Sequence, residues 1–232
     1  MEERESQKKS YTKVIDFIKK QIIIGELKIG DKLPAERELS EVLGVSRNSV
    51  REAIRTLDIM GVIASQHGAG NYVTGNFENN LVESLSMMFL LNHINYDQIS
   101  QLRLGLETQA LLLAIDNITE SEVKQLEVIL SQLEKGTEEN NVILDKKLHY
   151  NIAIASKNRL IIDILQALSE LVDHFIVDLR KEILSTEENR YRLHETHCDI
   201  VESLIIKDKE KGRAAVSRHF QIIDEKLKKI SK

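Results

Sequence analysis

Two pairs of side chains have the types and spacing to hold a metal ion. In LDKKLHYNIAIASKN, residues 144–158, Asp145 and His149 stand four residues apart. On a helix that is one turn, about 6 Å along the axis and on one face. A carboxylate and an imidazole so placed can grip one ion, or form a simple surface pair. His197 and His219 make the second pair, one eleven residues before Asp208 and the other eleven after it. In a helical hairpin, equal distances from the turn bring residues to the same height, so these imidazoles can face each other. His194 is a turn off level and is assigned to the pocket lining or the surface. Imidazole and carboxylate ligands suit Zn, Ni, Mn or Fe and leave coordination positions open. An enzyme would use an open position to activate water, with Glu107 or Glu202 as candidate bases. A sensor would fill it with a ligand carboxylate.

A different chemistry is written in LGVSRNSVREAIRTL, residues 43–57. Arg47, Arg51 and Arg55 recur every four residues, which makes one cationic stripe on a helix. Val50, Ala53, Ile54 and Leu57 face the other way. Arginine pairs with guanine edges and neutralises phosphate. The alternative is a solvated helix face.

The elements around these residues decide between such readings. Residues 10–24 have helical apolar spacing, and Gly25 ends the segment. Pro34 is placed just inside the next helix, 36–43, which Gly44 terminates. Ser46 caps a helix over 47–59. Then the period changes: 62–65 and 71–74 are strand-like about the glycine-rich turn QHGAG, a β-hairpin. Helix, short helix, glycine turn, helix and hairpin make a winged helix-turn-helix, whose second helix enters the major groove. That context favours DNA for the stripe. Arg47 and Arg51, with Asn48 and Ser49 as short polar neighbours, suit the bases. Arg55 suits a phosphate, Arg37 the backbone or a base, and the wing tip His67-Gly68 the minor groove. Beyond residue 80, helical patterns cover about 81–91, 97–116, 119–136, 138–156, 159–184, 187–206 and 208–230. The domains are expected at 1–76 (DNA-binding), 77–95 (linker and first bundle helix) and 96–232 (effector-binding bundle).

Composition bounds the function. The chain is 42% hydrophobic and 30% charged over 232 residues, with a formal net charge of −5. Residues 1–76 hold 12 Lys and Arg against 11 Asp and Glu, so the acidity sits in the remainder. No run of about 18 apolar residues suggests a membrane span, and the N-terminus lacks a signal-peptide core. One cysteine, Cys198, allows no internal disulfide and reads as a buried apolar residue. A cytoplasmic location is expected.

GDKLPAERELSEVLGVSRNSVREAIRTLDIMGVIASQHGAGNYV resembles the DNA-binding domain of the GntR family of bacterial transcriptional regulators. The resemblance implies DNA contacts at Arg37, Arg47, Asn48, Ser49, Arg51, His67 and Gly68. Asn48 replaces the commoner Thr. RLGLETQALLLAI, DKKLHYNIAIASKN and HCDIVESLIIKDKEKGRAAVSRHF resemble the all-helical effector (FCD) domain of the FadR subfamily. In many of its members one Asp and three His bind a divalent metal, and the matching positions are Asp145, His149, His197 and His219. Zinc is the first choice of ion. Arg103 is then either a fork for an effector carboxylate or the i, i+4 partner of Glu107. Asn158 either serves the pocket or takes the left-handed conformation that ends its helix.

The expected fold is mainly α: an N-terminal winged helix-turn-helix with a small β-hairpin wing, then a helical bundle. The expected function is a ligand-responsive regulator, usually a repressor, with a small carboxylate as effector. It would act as a homodimer on a palindromic double-stranded operator. The alternatives are a metal-dependent hydrolase with a DNA-binding head, or a regulator whose metal is purely structural.

Overall fold

The structure is a computed structural model and describes residues 2–66, 68–135, 138–184 and 187–230; the side chains of 2–9, 78–79, 138–139, 173–184, 187 and 226–230 are outside the description. The chain divides into two compact units, Met1–Glu83 and Ser84–Lys232.

In the first unit α1 (Glu2–Ile23), α2 (Glu36–Leu43) and α3 (Arg47–Ile59) precede the strands β1 (Ile63–Gln66) and β2 (Gly70–Val73). Val14, Ile18, Leu39, Val50, Ala53, Leu57, Ile63 and Val73 close a core with almost no exposure. Gly44 takes φ 61 and passes its N–H to Ser40 O, ending α2 as its sequence predicts. Ser46 accepts from the Ser49 N–H and starts α3. Pro34 lies outside α2, not within its first turn. The N-cap is Ala35, in extended conformation, so the proline rigidifies the entry to the helix. The strands are antiparallel, with Ile63 opposite Val73 and Gln66 opposite Gly70.

In the second unit α4 (Glu78–Leu91), which begins before the division, is followed by α5 (Tyr96–Asn117), α6 (Glu120–Lys135) and α7 (Glu138–Ala155). Next come α8 (Arg159–Leu184), α9 (Glu187–Ile205) and α10 (Lys209–Ile230). Leu111, Ile115, Leu126, Leu148, Ile152, Ile200, Leu204, Val216 and Phe220 form its core. α5 packs on α7 and α10, and α10 on α9, so these four helices converge on one interior. Two tight turns set their heights. Lys157 and Lys207 both take φ 57, and Asn158 and Asp208 then cap the next helix through the N–H groups of Ile161 and Lys211. No helix among the described residues is long and apolar enough to cross a membrane.

Candidate metal centre and nucleic-acid interface

Asp145 and His149 from α7, His197 from α9 and His219 from α10 meet inside the bundle. One ligand atom from each lies within 4.8 Å of the others. The rings of His197 and His219 are 4.7 Å apart between centroids, and His149 stands 4.8 Å from His219 and 5.4 Å from His197. The Asp208 turn therefore levels its two histidines as their spacing predicts.

The hydrogen-bond network fixes which nitrogens face inward. The Thr196 hydroxyl donates to Leu193 O at 2.7 Å, so it accepts from His219 Nδ1 at 3.1 Å. His219 Nε2 then keeps its lone pair. His149 Nδ1 lies 2.7 Å from Glu107 Oε2, an ion-pair contact that turns Nε2 toward the cluster. His149 Nε2 and His197 Nε2 are buried and have no hydrogen-bond partner among the described residues. His197 Nε2 lies 3.1 Å from Asp145 Oδ1, and His149 Nε2 lies 3.8 Å from the same oxygen. Buried lone pairs that converge on a carboxylate call for a cation between them. The four residues thus form a set that could hold a metal ion, and their donors suit Zn, Ni, Mn or Fe.

The electrostatics agree. Burial, then the neighbouring His197 and His149, hold His219 well below the ordinary imidazole range. Burial also lowers His197, against the pull of Asp145. Both are therefore held in the neutral form that ligates metal. Burial would lower His149 too, but the Glu107 carboxylate outweighs it and the net direction is up. Burial would raise Glu107, but Arg103 and His149 hold it far below the carboxylate range.

A cavity of about 450 Å³ lies beside the cluster between α5, α7 and α8. Its wall includes Arg103, Glu107, Lys146, His149, Tyr150 and Ser169. His149 thus belongs to both the cluster and the cavity. Arg103 forms the i, i+4 pair with Glu107, giving Nε and Nη2 to Oε1 at 3.0 and 2.7 Å, while also lining the cavity. Asn158 is different. It is exposed, caps α8 and is absent from the cavity wall; the left-handed residue of that turn is Lys157. Glu202 is paired with Lys211 at the surface, which removes it as a base for the cluster. Cys198 is partly buried rather than a core residue, 3.5 Å from His194 Nε2. Burial pushes its thiol up, away from reactivity.

On α3, Arg47, Asn48, Arg51 and Arg55 are exposed, and Val50, Ala53, Ile54 and Leu57 are buried, as the periodicity requires. Arg51 reaches across to Glu36 on α2, with Nη2 at 2.9 Å. Arg37 pairs with Glu41 one turn on. Ser49 is the exception among the expected contacts. It is 2% exposed, and its hydroxyl lies 2.9 Å from Ser46 Oγ, so it braces the turn instead of facing outward. Gly68 has φ 74 with open space where a side chain would stand, and His67 lies outside the described residues. Sequence reasoning missed the Glu36 partner of Arg51 and the contact of Glu107 with His149. The second was masked by the i, i+4 pair that Arg103 already offers Glu107.

Residues 10–73 match the family described as bacterial regulatory proteins, gntR family, and residues 98–222 match the FCD domain. The HTH-type transcriptional regulator LutR of Bacillus subtilis is 29% identical, over 88% of this chain and 94% of its own. A putative L-lactate dehydrogenase operon regulatory protein of Escherichia coli is 24% identical, over 93% and 85%. Among solved structures, a Streptococcus agalactiae GntR superposes with a TM-score of 0.66 at 24% identity, covering 92% of this chain and 98% of that one.

Proposed function

Because the chain belongs to the gntR family of bacterial regulatory proteins, with an FCD domain as its second unit, we propose that it is a repressor released or engaged by a small carboxylate. It is a DNA-binding transcriptional regulator, and its families and relatives are regulators rather than enzymes. The proposal extends this to a cytoplasmic homodimer on a palindromic operator, one recognition helix per half-site. Arg47, Asn48 and Arg51 read bases, Arg37 and Arg55 hold phosphate, and the wing tip His67-Gly68 enters the minor groove. Glu36 and Glu41 pre-orient Arg51 and Arg37 and give them up to the polyanion.

In the second unit Asp145, His149, His197 and His219 would hold zinc, the first choice among Zn, Ni, Mn and Fe. When bound, the ion supplies a Lewis-acidic anchor for an acid's carboxylate. Arg103, on the cavity wall, offers its remaining guanidinium donors to the same anion. The observation that carries this reading is His149, shared between the ligand cluster and the cavity. The E. coli relative's name refers to an L-lactate dehydrogenase operon, which makes hydroxy acids a sensible start.

A thermal-shift screen of the full chain against lactate, dicarboxylates and sugar acids tests the reading. At least one acid should raise the melting temperature, and EDTA should remove the effect. A hit indifferent to EDTA, or no hit across the panel, would reject metal-anchored sensing.

A further inference from the structure

Behind His149 lies a buried carboxylate that neither DNA binding nor ligation itself requires. Glu107 is 7% exposed on α5, between the buried Arg103 and the apolar Ala110, Leu111 and Ala114. Its two oxygens have separate tasks. Oε1 accepts both hydrogen bonds from Arg103, and Oε2 lies 2.7 Å from His149 Nδ1. A simple intrahelical ion pair would need only the first. The second oxygen reaches from α5 to α7 and meets the one ligand that also lines the cavity.

An imidazole has two neutral tautomers, and only the one protonated on Nδ1 leaves Nε2 free to ligate. On α7 itself Asp145 faces Nε2, so that helix alone does not favour the Nδ1–H form. A carboxylate on Nδ1 does, and it also fixes the ring plane and raises the basicity of Nε2. The carboxylate can do this only while it stays aimed at the ring, and the two hydrogen bonds from Arg103 hold it there.

We propose that Glu107 is a positioning residue of the centre: it locks His149 in the Nδ1–H tautomer with Nε2 toward Asp145, and Arg103 clamps Glu107 in place. The inference rests on the reading of the cluster as a metal site.

The test uses the full-length protein in three forms: wild type, Glu107→Gln, and the double variant Arg103→Gln/Glu107→Gln. The double variant leaves no buried unpaired guanidinium, so it covers the case in which the single variant does not fold. Nitrogen-15 NMR of the imidazoles reports the tautomer in metal-free protein, and competition with a chromophoric chelator reports zinc affinity. At a pH high enough to keep the ring neutral, wild type should show His149 as Nδ1–H. The variants should show a mixture of tautomers and bind zinc about 10–100-fold more weakly. A variant that keeps the wild-type tautomer and zinc affinity overturns the proposal. Should the wild type itself take up no zinc, the metal reading fails, and the tautomer still decides whether Glu107 positions His149.

Discussion

The metal reading makes a quantitative claim on stability, and His219→Gln is the variant that isolates it. The substituted amide can still donate to the Thr196 hydroxyl that His219 Nδ1 meets at 3.1 Å, so the packing around Phe220 is disturbed little. What it removes is one imidazole from the converging set. An ion that binds only the folded form stabilises it by RT ln(1 + [L]/Kd), about 2.7 kcal/mol at a hundredfold excess over Kd. For a unit the size of Ser84–Lys232, each kcal/mol moves the melting temperature by about 2–4 °C, so zinc should raise it by about 5–11 °C. If the variant binds about a hundredfold more weakly, the same zinc concentration only equals its Kd. The gain then shrinks to about 0.4 kcal/mol, or about 1–2 °C. Differential scanning calorimetry of the EDTA-stripped full chain, with zinc titrated back, measures both. Equal zinc shifts in wild type and variant would show that the ion binds elsewhere, and no shift in the wild type would show that the cluster does not hold it.

Three further outcomes are expected. Arg47→Ala or Arg51→Ala should cost about 1–3 kcal/mol of operator binding in gel shifts, whereas Ser49→Ala should cost far less because that hydroxyl faces Ser46; the reverse order would reject the assignment of the outward face. Leu57→Ala, at a fully buried position, should destabilise the first unit by about 2–5 kcal/mol in urea titrations, and a loss under 1 kcal/mol would mean the three-helix core is built otherwise. Glu122 is depressed to about 2 by hydrogen bonds from Lys157 and then Thr119, so its contribution is complete above about pH 4.5 and disappears as pH falls through about 2. Glu122→Gln should therefore cost about 0.5–1 kcal/mol at pH 7 and nothing near pH 2, and a pH-independent difference would remove the linkage.

The elements were legible because each is announced locally. Gly44 and Ser46 mark boundaries that the structure keeps, and the change of period after Gly61 marks a hairpin whose strands lie one residue from the expected 62–65 and 71–74. Where local signals were ambiguous, the reading slipped by a residue or two. Pro34 is compatible with the first turn of a helix and with the residue before its cap, and nothing in its own chemistry separates the two. Asn158 is similar, since asparagine suits both a left-handed helix end and an N-cap; here Lys157 takes the former role and Asn158 the latter. Ser49 looked outward by composition, but a serine three residues after an N-cap serine can turn back to it.

The candidate centre divides along the same line. Its ligands follow from helix geometry: i, i+4 for Asp145 and His149, and equal distance from a turn for His197 and His219. Both relations are one-dimensional, so a sequence can carry them. Glu107 was hidden by a one-dimensional relation of its own. Arg103 stands at i−4, and that pair alone satisfies the demand a buried carboxylate makes. Only the packing of α5 against α7 turns the second oxygen onto His149. Rotation about a helix axis is decided by the whole core and by no single residue spacing. Helix spacing therefore gives the two pairs, the family resemblance joins them into one candidate set of four, and a carboxylate placed to orient one of them emerges only when the helices are packed.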